Sequence, residues 1–145
     1  MVRKLSIPIH NLCPEKWQES SSSEKDLKQK TATYNDYSSK HEQAKQDVTN
    51  KTTIYNNAKT ATQNAKNQLA SMAADDPGRA ALEAQIASLE KAEEAAKKEL
   101  ERAEKTEQDL ASKLEAAETA KKRAVFNNFI EIYAIFGIVF IKQCG

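Results

Sequence analysis

Ala73-Ala74-Asp75-Asp76-Pro77-Gly78-Arg79 decides the fold, because it holds the only proline and the only glycine between residues 24 and 124. Asp before Pro is a helix-start signal. The Asp76 carboxylate can accept an orphan N–H of the first turn, and Pro77 suits the first helical position, where no N–H is needed. Pro77 also drives the residue before it out of helical geometry, so a helix arriving from upstream has to end first. The stretch therefore predicts a short turn over residues 73–79, built on Asp75, Asp76, Pro77 and Gly78, between two helices.

Upstream of that turn, residues 24–72 alternate apolar steps of three and four. The line runs through Leu27, Lys30, Tyr34, Tyr37, His41, Ala44, Val48, Lys51, Tyr55, Ala58, Thr62, Ala65, Leu69 and Met72. A mean spacing of ~3.5 is the heptad signature of a coiled coil. Lys30 and Lys51 fall on the seam, where their aliphatic stems can lie with the charge outside. Downstream the pattern is cleaner. Leu82, Leu89, Ala96, Ala103, Leu110, Ala117 and Ala124 recur every seven residues, and Ile86, Glu93, Leu100, Glu107, Leu114 and Lys121 recur with an offset of four. Glu93–Lys97, Glu94–Lys98, Glu101–Lys105 and Glu118–Lys122 stand in the favourable i,i+4 order, each worth a few tenths of a kcal/mol. The arms match in length, each ~70 Å at ~1.5 Å per residue, and the turn is short. Folding back is the simplest topology. The first arm has an excess of lysine and the second a slight excess of acid, which mildly favours pairing of unlike arms. The expected fold is all-α: a long antiparallel coiled-coil hairpin over 24–124. The narrow alanine-rich seam leaves self-association open, and residues from Leu12 to Leu27 are available as a third packed helix.

Both ends differ from the middle. Residues 1–23 carry Pro8, Pro14 and a serine run, and read as irregular, with Ser23 capping the first arm and Asp26 in its first turn. Residues 125–145 form an apolar tail. Its run Ile132-Tyr133-Ala134-Ile135-Phe136-Gly137-Ile138-Val139-Phe140-Ile141 is shorter than the ~20 residues a membrane-spanning helix needs. The tail is expected to contact a membrane through residues 132–141, to dock a partner, or to pack on the hairpin.

Composition narrows the function. The chain has 145 residues, 39% of them hydrophobic and 30% charged. This suits long helices and not a thick globular core. A net charge of +1 gives no bulk attraction to nucleic acid or to an anionic membrane, and basic residues interleave with acids. Cys13 and Cys144 lack CxxC spacing and read as incidental thiols. Pro8 and His10 interrupt the N-terminus too early for a secretory signal. His10 and His41 are far apart, Gly78 stands alone, and the carboxylates lie on lysine-rich helix faces. Tyr34, Tyr37 and Tyr55 read as seam residues and not as a base-stacking platform. No enzyme activity, catalytic residue, cofactor, metal site or nucleic-acid partner is expected.

The stretch from Tyr37 through Ala124 resembles the N-terminal coiled-coil domain of type III secretion translocators of the SipB/IpaB/BipB family. The resemblance rests on Lys51-Thr52-Thr53-Ile54-Tyr55-Asn56-Asn57-Ala58-Lys59 and Ala65-Lys66-Asn67-Gln68-Leu69. It continues through Ala74-Asp75-Asp76-Pro77-Gly78, then Glu83-Ala84 and Glu93-Glu94-Ala95-Ala96-Lys97-Lys98-Glu99-Leu100. It implies a virulence role at the bacterium–host boundary, with export through a type III apparatus. The implied partners are a secretion chaperone, a needle-tip protein and a second translocator, and the coiled coil is expected to act in assembly at the needle tip and host membrane. The family's membrane-inserting helices lie beyond the matched region, and neither residues 1–13 nor 125–145 resemble the family. The expectation is a truncated translocator, held in the bacterial cytoplasm if it is not exported. The alternatives are a generic structural coiled coil and a small membrane-associated protein anchored by its tail.

Overall fold

A computed structural model describes the backbone of residues 14–144 and the side chains of residues 22–137. The expectations placed on residues 1–13 and on the side chains of Cys144 and of 138–141 lie outside the described residues. Two helices make up the fold: α1, Pro14–Ser71, and α2, Arg79–Cys144. They pack against each other as an all-α hairpin.

Both helices are longer than the heptad pattern alone indicates. The segment expected to be irregular is helical from Pro14 onward, and Pro14 takes the first helical position, where its missing N–H costs nothing. Residues 14–27 are therefore the first turns of α1 and not a third helix. Ser23 lies inside α1 and does not cap it; its hydroxyl donates to Asn128 Oδ1 on α2 at 3.1 Å. The tail is likewise no separate segment, because α2 runs on without a break through residue 144.

Regular helix begins at Arg79, so Pro77 lies in the turn and not at the first helical position. Asp76 Oδ1 accepts the Gly78 N–H at 2.8 Å, and the Arg79 N–H reaches the Asp76 carbonyl at 3.1 Å. This is the bond expected of an N-cap aspartate. The first i→i−4 bond follows, from the Leu82 N–H to the Gly78 carbonyl. Gly78 has no positive φ. Its missing side chain leaves room for Asp76 Oδ1 and the Met72 methyl, which would lie 3.2 and 3.4 Å from a Cβ. No basic residue occupies the last turn of α1. Arg79 reaches back from α2 instead, with Nη1 3.4 Å from both the Leu69 and Met72 carbonyls. It thereby meets orphan acceptors that every helix end leaves.

The chain forms two compact units. One comprises residues Ser38–Lys113 and includes the turn. Its core is Ala65, Leu82 and Ile86, with Leu69, Met72 and Leu89 packed against it. Opposed residues run in opposite directions along the arms: His41 meets Glu107, Lys51 meets Glu99, and Lys66 meets Glu90. The other unit comprises Met1–Tyr37 and Leu114–Gly145. Among the described residues its buried ones are Ala117 and Ala124, and Ser23 and Tyr34 of α1 meet Asn128 and Lys121 of α2. Among the described residues no large side chain is fully buried. Two helices can cover only one stripe of each other, so alanine fills the closest approaches and larger residues stay half-exposed.

Candidate interaction surfaces

Every heptad position named from the sequence in residues 24–124 is buried or half-buried. On α1, Tyr34, Tyr37, Val48, Tyr55, Leu69 and Met72 are half-buried. On α2, Leu82 and Ile86 are buried, and Leu89, Leu100, Leu110 and Leu114 are half-buried. In the turn, Asp76 is half-buried and Asp75, Pro77 and Gly78 are exposed.

Polar seam residues are satisfied locally or across the arms. Thr62 is 3% exposed, and its hydroxyl donates to the Ala58 carbonyl at 3.0 Å. An i→i−4 bond of this kind removes the cost of burying a hydroxyl. His41 Nε2 lies 2.6 Å from Glu107 Oε1, which pairs two of the polar residues that interrupt opposite sides of the seam. Lys121 sits over the Tyr34 ring, its Nζ 4.5 Å from the centroid. That geometry keeps the ammonium at the edge while its stem covers the seam.

Outside the seam, charges pair along and between the helices. Glu94–Lys98 and Glu118–Lys122 form as expected, at 3.5 and 2.7 Å. Lys97 turns instead to Glu101 at 4.0 Å, and Glu93, half-buried on the seam, faces α1 closely enough to act on Lys66. There the Lys66 ammonium is held above its ordinary value by its hydrogen bond to Glu90, by the Glu90 charge and by Glu93. Hydrogen bonding to Lys122 and that residue's charge hold the Glu118 carboxyl below its ordinary value. The same bond raises Lys122. Among the described residues, no three His, Cys, Asp or Glu side chains are grouped to hold a metal ion.

The C-terminal end of α2 is built the other way round. Continuing the seam past Ala124 in steps of four, three and four lands on Asn128, Glu131 and Ile135, all half-buried. Glu131 Oε2 is buried and has no hydrogen-bond partner. The large apolar residues face outward: Val125, Phe126, Phe129, Ile130, Ile132, Tyr133 and Phe136 are exposed, between 42% for Ile132 and 70% for Phe136. They cover roughly 160° of the helix surface at ~100° per residue. Phe129 and Tyr133 pack along the face with centroids 4.4 Å apart and their rings tilted by 47°. The sequence marked this segment as apolar but not as outward-facing. No helix among the described residues is long and apolar enough to cross a membrane.

Comparison with protein-family models, with curated proteins and with solved structures yields no match to this chain.

Proposed function

We propose that the chain is a coiled-coil interaction module of the type III translocator kind that residues 37–124 resemble, and that it works by binding proteins and not by catalysis. The observation that supports this reading is the shallow seam. It stays in register on both sides of the Asp75–Gly78 turn and leaves large residues half-exposed, which suits a surface that adds further helices. On this reading a secretion chaperone covers the hairpin before export, and a needle-tip protein or second translocator engages it afterwards.

Export is the decisive test. The tagged chain is expressed in a bacterium with a working type III apparatus and in the same strain lacking the secretion ATPase. The expected result is chain in the medium of the first strain only. Retention in both strains, or equal release from both, overturns the translocator reading and leaves a structural coiled coil.

A further inference from the structure

We infer that the outward apolar face at the C-terminal end of α2, centred on Phe126, Phe129, Tyr133 and Phe136, binds the same face of a second copy of the chain. This goes beyond the proposed function and holds whether or not the chain is exported.

The first argument is area. A free aromatic side chain presents on the order of 200 Å², so the exposures of the four aromatic residues alone leave on the order of 500 Å², and Val125, Ile130 and Ile132 extend the patch further. Soluble monomers rarely expose a contiguous patch beyond ~300 to 600 Å². A stable dimer buries ~800 Å² on each partner. The face has the size of one side of such an interface.

The second argument is symmetry. Among the described residues the only large exposed hydrophobic outside this face is Ile54. No second apolar surface is there among the described residues to receive the face in a head-to-tail contact. A two-fold contact needs only one patch, provided the patch complements itself. This one does: its outward residues carry no charge, and the acid within the segment, Glu131, is turned into the seam.

The third argument concerns charge at the border. An anionic lipid surface would draw on free cations beside the apolar face. Lys122 is already paired with Glu118 at 2.7 Å and Lys121 lies over Tyr34. The two lysines next to the face are thus committed within the chain, which leaves Arg123 as the exposed basic residue beside it among the described residues, fewer cations than the Lys/Arg-rich border an anionic lipid surface draws on.

Sedimentation equilibrium of the full chain across roughly 1 to 100 μM, at and above the weak end of the affinities of standard-size interfaces, tests this directly. A two-chain mass is expected for the parent and for Ile54→Glu. Phe129→Glu and Phe136→Glu are expected to weaken association by at least about a hundredfold without loss of far-ultraviolet helicity, because both side chains are exposed in the monomer. A one-chain mass throughout overturns the inference. So does a dimer that both variants retain, or a mass that keeps growing with concentration. Monomeric chain that floats with phosphatidylserine vesicles through Phe129 also overturns it and makes lipid the occupant.

Discussion

Ile86 and Leu100 sit on the same line of α2, but Ile86 is buried at 8% exposure and Leu100 is only half-buried. Reading the register from sequence, Leu100→Ala is expected to cost ~2 to 4 kcal/mol if the side chain is well buried. Its actual exposure lowers that to about 1 to 2 kcal/mol, and the larger cost moves to Ile86→Ala, at about 2 to 4 kcal/mol. Gln108 is exposed, and Gln108→Ala should change stability by less than about 0.5 kcal/mol. Urea unfolding of the three variants checks the order. Equal midpoints would mean that the seam lies elsewhere. Asp76 acts through one bond, its carboxylate accepting the Gly78 N–H. Asp76→Ala should therefore cost about 1 kcal/mol, and Asp76→Asn, which keeps an acceptor, much less.

At the scale of one helix, the Glu118–Lys122 pair links charge to pH. The Glu118 carboxyl is held below 4.5, so its contribution is fully present above 4.5 and is lost as the pH falls through the depressed folded-state value. The Lys122 ammonium is held above 10.5, so its contribution is fully present below 10.5 and is lost as the pH rises through the raised value. Both groups are solvent-exposed, and salt screens their attraction. Lys122→Gln should therefore melt slightly below the parent at pH 7 in low salt, and the gap should close at pH 2 or in ~1 M salt, where the Debye length is ~3 Å. A gap that persists at pH 2 would assign the effect to the lysine stem and not to its charge. The tail shows the same link between element and surface. One unbroken helix carries the heptad phase from Ala124 to Asn128, Glu131 and Ile135, and that phase alone turns the aromatic residues outward.

For the molecule as a whole, the short turn joins arms that already meet through their seam. Inserting Gly-Gly-Ser-Gly between Ala74 and Asp75 lengthens the loop without touching the Asp76 cap or the seam. Closing a longer loop costs only about 0.6 kcal/mol per doubling. The insertion, which is less than a doubling of the loop, should lower stability by no more than about 0.6 kcal/mol and leave helicity unchanged. A loss of several kcal/mol would show that the turn, together with the Arg79 reach to the α1 carbonyls, holds the arms in register more than the seam does.

The heptad seam, the turn at Asp75–Gly78 and the all-α hairpin were legible in the sequence, because period and punctuation are local signals. Each apolar step of three or four commits the next residue to the same face, and Pro77 keeps the residue before it out of helical geometry. The ends of the hairpin were not legible. Ser23 has the chemistry of a cap, yet it lies within a helix that starts at Pro14 and donates to a residue 105 positions away. The run at 132–141 is apolar on every side, so it contains no period from which to choose an inner face. Tertiary packing made that choice: α2 continues in the phase set by Ala117 and Ala124 against α1, which turns the half-buried Glu131 toward the seam and exposes Phe129, Tyr133 and Phe136.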